Sequence, residues 1–482
     1  MSIGPSSSSN EIVDVALPWS GRDGLLIAIL AIAAIVSRFW HLGYPDEPVF
    51  DELQYVGQAM AFMRGEQFTN VHPNLGPLLM ACAVKVFGLH SWAWRTPSAM
   101  LGAALVPITF LLGREMFRSR LAGVMAANFV LCDGMFLIHS RLAMLDIFHV
   151  TFTAVSYLML FVLLRTNDTS QFRRRIIYLA IAAGAATASK LLIPEIGLFV
   201  VIGFLVYAMF FRNPRRSSIE TRRIIGMILM VGSASAIVYL ATFMPNYWLG
   251  WWGGAFALAH YYHEVMWQLG SFAESTNPFI SPWWSWPLML RAPLYWQTTS
   301  DLGQVATIWE GGNPVLWWSS LAALALMVAR EIRHPNLART FLLIGYFSYM
   351  VALSLPKHPF YLYIYMAPLY LQYIMLAALV SECWNGGCHP IEHLVLILSL
   401  APAFLLGFGT INGAIFLFVV VALYAGLSLR VNIAGKFVCA VIVIAALAAF
   451  VYFLPLWLGI PLDQAGYENR IWLNGPGLSK WM

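Results

Sequence analysis

The sequence predicts an all-α integral membrane protein, a polytopic bundle of about 13 transmembrane helices with one interfacial segment after the first. Three observations predict it. Of 482 residues, 60% are hydrophobic and only 11% are charged, and the mean hydropathy is +0.71. Soluble domains carry about 25% charged residues, and single cores stop growing near 250 to 300 residues, so this much apolar side chain has no aqueous home. The apolar residues also fall into runs of bilayer length, and the basic residues gather in alternate connections between those runs.

The elements follow in chain order. Residues 1–23 form a Ser-rich tail with no Lys or Arg before Arg22, so it lacks the charged start of a cleavable leader, and the first helix is expected to stay as an anchor. Spans are expected near 24–41, 95–113, 121–138, 142–164, 176–190, 192–211, 223–243, 315–330, 340–356, 360–381, 391–408, 411–429 and 435–455. The run 76–90, GPLLMACAVKVFGLH, is apolar but short, and it carries Lys85 and lies beside Pro73 and Pro77. That length suits an interfacial or re-entrant segment. Four regions result: the tail 1–23, a transmembrane module 24–243 with a long acidic first loop, an aromatic-rich loop 244–314, and a carboxyl-terminal transmembrane region 315–482. The Trp and Tyr of 244–314 suit an aromatic belt at headgroup depth, and aromatic faces also line sugar and lipid grooves.

Orientation supports leaving 76–90 out of the bilayer. One set of connections then holds Arg114, Arg118 and Arg120, Arg165 and Arg173 to Arg175, Arg212 to Arg223, Arg330 to Arg339, and Arg430 with Lys436. With Arg22 these are most of the 28 basic residues, so that face is expected to be cytoplasmic. A net charge of +5 without a basic stripe is no nucleic-acid footprint. Five scattered cysteines make no disulfide framework. Cys383 and Cys388, followed by His389, lack a fourth ligand for a metal clip, and His260 with His263 lack a third.

The opposite face collects isolated polar groups. Asp51 and Glu52, His72, Arg95, Arg141, Asp146, Lys190, Lys357 and His358 are all expected there. Any one could be a snorkelling side chain or a helix cap; together they suggest a site. Adjacent residues on a helix point about 100° apart, so Asp51 and Glu52 are expected to do different jobs. One removes a proton, and the other orients a partner or contacts a cation. Arg95, Arg141 and Lys190 would bind phosphate beside them. A carboxylate base next to a phosphate-binding cluster suits a hydroxyl attacking a sugar whose leaving group is a lipid phosphate. No nucleotide-binding glycine loop is present, which fits a membrane-borne donor.

The ordered motifs FDELQYV, NVHPNLGPLL, WRTPSAM, HSRLAMLD and the Ser-Lys pair at 189–190 resemble the protein O-mannosyltransferases. STNPFISPWWSWPLMLRAPLYW, GNPVLWW and KHPFYLYIYMAPLY resemble that family's carboxyl-terminal four-helix region. The resemblance implies the GT-C glycosyltransferase fold, a polyprenyl-phosphate mannose donor, protein Ser or Thr acceptors on the non-cytoplasmic face of the cell membrane, and inversion at the anomeric carbon. It makes Asp51 the base and Glu52 its neighbour, places Arg95 and His72 at the donor site, and matches Arg141 and Lys190 to the family's SR and SK elements. Lys357 and His358 would help grip the donor phosphate. Where the family usually has Asp-Val-His-Pro-Pro, this chain reads Asn70-Val71-His72-Pro73-Asn74. The carboxylate lost at Asn70 weakens a two-carboxylate metal site; no cofactor is assigned, and a divalent cation is left open. The length leaves no room for the large luminal domain of eukaryotic members, so the chain resembles a bacterial form.

Two other classes of function compete. A GT-C enzyme moving a different sugar, or using a lipid or glycan acceptor, would share the same acid and base. A secondary transporter would place ionisable groups near the bilayer midplane in repeated halves, whereas here they lie at one surface and no repeat is visible.

Overall fold

A charged group at each end of the first span shows how this chain fastens its helices. In the computed structural model, which describes residues 17–68, 72–164, 169–190, 200, 203–204, 218–251, 279–355, 360–428 and 431–473, α1 (Gly21–Phe39) starts from Ser20. Asp23 in its first turn accepts from the Ser20 N–H and is wholly buried. There it meets Arg114 at 3.0 Å and Arg120 at 2.8 Å, from α4 (Ser91–Phe117) and α5 (Arg120–Leu131). At the far end Arg38 donates to the carbonyls of Val130 and Leu131, the unpaired carboxyl end of α5. Each charge thus holds a helix terminus of its neighbour, which is what a low-dielectric surrounding demands.

Between α1 and α4 lie α2 (Glu52–Arg64) and α3 (Leu75–Phe87). α3 is about 20 Å long, shorter than a bilayer core of about 30 Å, in keeping with the interfacial segment expected there. α2 was not expected from the sequence. The chain then turns at Cys132, where α5 and α6 (Gly134–Arg141) meet at a bend of 63°. Asp133 caps α6 and accepts from the Asn313 N–H and the Tyr373 hydroxyl, both at 2.7 Å. α4 and α5 approach closely because Gly123 has no side chain; a Cβ there would lie 2.5 Å from the Phe110 carbonyl.

α7 (Leu145–Leu164), α8 (Thr169–Thr187), α9 (Ser218–Ala241) and the short α10 (Met244–Trp248) complete the first half. The second half holds α11 (Pro314–Arg333), α12 (Leu337–Ser354), α13 (Met366–Trp384), α14 (Pro390–Leu398), α15 (Ala401–Gly407), α16 (Thr410–Leu427), α17 (Val431–Leu458) and α18 (Gln464–Glu468). α13, apolar on every side, is the buried central helix, packed by α5, α11, α12 and α17. On the periphery, Ile411, Phe418, Ile444 and Val451 present apolar surface outward, as lipid-facing side chains do.

Among the described residues, nine helices are long and apolar enough to span a membrane, or ten if the α5–α6 pair is one broken span. The expected count was higher for identifiable reasons. α1 carries Arg22, Asp23 and Arg38 and α8 carries Arg173 to Arg175, so neither is apolar throughout. The expected span 192–211 lies almost wholly outside the described residues. The fold also adds an element to an otherwise all-α design: β1 (Leu294–Thr299) and β2 (Val305–Trp309) pair antiparallel, with Thr299 opposite Val305 and Leu294 opposite Trp309. β2 is buried along its length and Val305 bridges to Leu462, so the hairpin is clamped from the carboxyl-terminal side.

Candidate active site

Phe50 adopts a left-handed backbone conformation, φ 51°, uncommon for a side chain of this size. The turn lets its ring stack on Tyr295 of β1 at 4.3 Å and delivers Asp51 and Glu52 to the amino end of α2. The two neighbouring carboxylates then enter different surroundings, as their angular separation requires.

Glu52 is wholly buried. It takes two parallel hydrogen bonds from Arg95, both 2.9 Å, and further ones from the N–H groups of Val49 at 2.9 Å and Ala143 at 2.6 Å. Arg95, equally buried, gives its remaining donors to the carbonyls of Leu42, Pro45 and Glu47. The pair therefore ties the first loop, α2, α4 and the α6–α7 turn into one body. Arg95 was expected to face a donor phosphate; its N–H groups are engaged by protein instead.

Arg141 likewise meets backbone. It donates to the carbonyls of Arg38, Trp40 and His41, capping the carboxyl end of α1, where a cation also favours the helix dipole. Of the three cations expected around the acidic pair, Arg95 meets Glu52 and Lys190 meets Asp146. The lysine Nζ is 2.5 Å from Asp146 Oδ1 and 4.6 Å above the Tyr363 ring.

Asp51 is only partly exposed and accepts from the Tyr363 hydroxyl at 3.3 Å. Burial raises its carboxyl above the ordinary range, and Asp146 adds to the rise against the opposing Lys190 charge. A carboxylate so placed holds a proton more firmly than a free one, as a general base must. His72 lies beside Tyr55 with ring centroids 5.8 Å apart, and burial together with Lys190 lowers its imidazole to about 3, so it is neutral.

Four groups that sequence reasoning did not select complete the site. His139 lies between two carboxylates, with Nδ1 3.6 Å from Asp146 Oδ2 and Nε2 3.6 Å from Glu310 Oε1. The Tyr295 hydroxyl is 3.2 Å from the same Nε2. Glu310, wholly buried at the end of β2, has no hydrogen-bond partner for either oxygen among the described residues, and burial raises it to about 7 against the opposing His139 charge. Tyr363 joins this row to Asp51. A carboxylate in the apolar run VATIWEGGNPVLWW, just before two glycines, was the available signal for Glu310. His139 sits inside HSRLAMLD, but nothing in the spacing separates it from a core histidine.

Asn74, which stands where the family pattern has its second proline, joins Gln58, Asn246 and the Thr242 carbonyl in a buried polar knot. Lys357, His358, Asn70, His260 and His263 lie outside the described residues.

The geometry is matched by likeness. Residues 28–94 and 85–250 fit the family model of dolichyl-phosphate-mannose-protein mannosyltransferase, and residues 256–476 fit the C-terminal four-transmembrane region of protein O-mannosyltransferase. The chain is 22% identical over 528 aligned positions to the polyprenol-phosphate-mannose–protein mannosyltransferase of Mycobacterium tuberculosis, covering 94% of this chain and 91% of that one. To the Mycolicibacterium smegmatis protein of the same name it is 24% identical over 412, covering 70% and 76%. Its fold matches the S. cerevisiae protein O-mannosyltransferase Pmt1-Pmt2 complex bound to the sugar donor, with TM-score 0.75, 13% identity, and 95% and 93% of the two chains covered.

Proposed function

Because the chain belongs to the dolichyl-phosphate-mannose-protein mannosyltransferase family, we propose that this multi-pass membrane protein transfers mannose from a polyprenyl-phosphate donor to Ser or Thr hydroxyls of proteins. The reaction occurs at the non-cytoplasmic face of the cell membrane and inverts the anomeric carbon. The observation that carries the residue roles is the contrast at positions 51 and 52. Glu52 is buried and fully bonded, whereas Asp51 is partly open, raised in proton affinity and backed by the Lys190–Asp146–His139 row.

The step follows from that contrast. The acceptor hydroxyl gives its proton to Asp51 Oδ as its oxygen forms a bond to the anomeric carbon. The bond from that carbon to the phosphate oxygen breaks on the opposite side, and both electrons leave with the polyprenyl phosphate, which needs no proton to depart. In-line displacement inverts the centre. Lys190, paired with Asp146 and lying over Tyr363, supplies positive charge to the site in which that departing negative charge develops. Glu52 and Arg95 hold Asp51 in position from below, and Tyr363 orients its carboxylate.

The test supplies radiolabelled polyprenyl-phosphate mannose to purified protein with Ser/Thr peptide, lipid and glycan acceptors in parallel. Label on the peptide hydroxyl, and release of unlabelled polyprenyl phosphate, is the expected result. Label on lipid or glycan alone would assign the sibling reaction with another acceptor.

A further inference from the structure

We propose that Cys383, Cys388 and His393 form a binding site for a thiophilic divalent metal ion of the zinc class at the end of the bundle opposite the active site. Cys383 ends α13, Cys388 lies in the following turn and His393 is in α14, giving the spacing Cys-x4-Cys-x4-His. The three residues are buried, at 0%, 5% and 1% exposure, and their ligand atoms lie within 4.8 Å of one another. The structure joins Cys383 and Cys388 as a disulfide with the Cα atoms 4.7 Å apart, and the site proposed is that of the reduced chain, in which both sulfurs are released as ligands.

The orientation of His393 points to a ligand. Its Nδ1 is 3.3 Å from the Tyr424 hydroxyl, and that hydroxyl donates its own proton to the Pro390 carbonyl at 3.2 Å. Tyr424 oxygen is therefore the acceptor, Nδ1 carries the ring proton, and Nε2 bears the lone pair. Nε2 is buried without a hydrogen-bond partner among the described residues. A ring held by its second nitrogen with the first one bare is the arrangement of a metal-ligating histidine. His389, adjacent in sequence to Cys388, instead uses Nδ1 to accept from the Ile391 N–H.

Arg330 Nη2 lies 3.4 Å from Cys388 Sγ while the same guanidinium holds Glu392 and Glu382. Backbone also closes on the site: a Cβ at Gly435 would lie 2.0 Å from the Cys383 carbonyl and 3.5 Å from His393 Nε2. Binding releases one proton from each thiol and leaves a fourth position for water; the bound ion would join α13, α14 and α17 at their common end. The assignment rests on the orientation given under Proposed function, because that end then faces a reducing compartment in which thiols persist.

The full chain in detergent, kept reduced and stripped with a chelator, is titrated with zinc against a chromophoric competitor. The reduced protein is expected to take up one zinc per chain. Cys388→Ser and His393→Ala are expected to weaken binding by more than about 100-fold, and Tyr424→Phe, which keeps all three ligands, by roughly 10- to 100-fold. Tyr424→Phe keeps the test valid if a ligand variant fails to fold. No uptake by the reduced wild type, wild-type affinity in these variants, or a Cys383–Cys388 disulfide in protein thiol-trapped as cells are lysed would each overturn the proposal. A His389→Cys variant modified by membrane-impermeant maleimide only after permeabilisation supports the orientation. Modification in intact cells would overturn the placement, while mannose transfer, measured separately, reports on the active site alone.

Discussion

At the scale of single residues, Glu310 is where burial has the clearest measurable consequence. Its carboxyl sits at about 7 rather than 4.5 because the charged form loses solvent that His139 does not fully replace. The folded value is raised, so the protonated acid is the form the fold favours. Its contribution is intact below about 4.5 and is lost as pH rises to about 7, a swing of about 3 kcal/mol at most. Glu310→Gln, which mimics the protonated acid, should therefore match wild type in thermal midpoint near pH 5 and exceed it near pH 8. Equal midpoints at both pH values would refute the buried, unsolvated reading of this carboxylate. His139 offers a companion test. With Asp146 and Glu310 on either side, His139→Ala removes the ring that stands between these two buried side chains and should lower both the midpoint and transfer, whereas His139→Gln should recover part of the first.

Elements are held here by charged side chains on backbone carbonyls, which changes what substitution tests read. Arg95→Ala leaves Glu52 buried and unpaired, a loss of about 3 to 5 kcal/mol, so the variant should unfold at markedly lower temperature and not merely bind donor less tightly. Arg141→Ala removes the cap from α1 and should cost less, about 1 to 2 kcal/mol. An Arg95→Ala protein with wild-type stability and a purely raised donor KM would return Arg95 to the phosphate. The sequence made these residues visible without making their partners visible. Apolar length and basic loops pointed to a polytopic membrane bundle, and the order of short motifs singled out Asp51, Glu52, Arg95, Arg141 and Lys190. Whether a guanidinium meets phosphate or carbonyl depends on where a loop such as 42–47 folds back, and no spacing in one chain encodes that. The β1–β2 hairpin was hidden for a related reason: its aromatic and β-branched residues also suit a membrane interface.

Across the whole molecule, polar groups divide between two ends of an apolar bundle. Asp23, Arg114 and Arg120 lock one end, and the Arg330–Glu392 pair belongs with them; Asp51, Lys190, Asp146, His139 and Glu310 occupy the other. Residues from 51 to 363 thus converge only after the chain has crossed the membrane repeatedly, which is why Glu310 and Tyr363 could not be assigned from neighbourhood in sequence. The claim on which this arrangement turns is that Asp51 is the open carboxylate that takes the acceptor's proton. Its most direct test is the pH dependence of mannose transfer by Asp51→Asn beside wild type, in membranes containing equal amounts of folded protein. Wild-type transfer should fall toward acid with a midpoint above the ordinary carboxylate range, because the base must be ionised. The variant should insert, bind donor and lose about 10²- to 10⁴-fold in rate together with that acidic limb. An Asp51→Asn enzyme that transfers mannose at the wild-type rate with the same acidic limb would contradict the account.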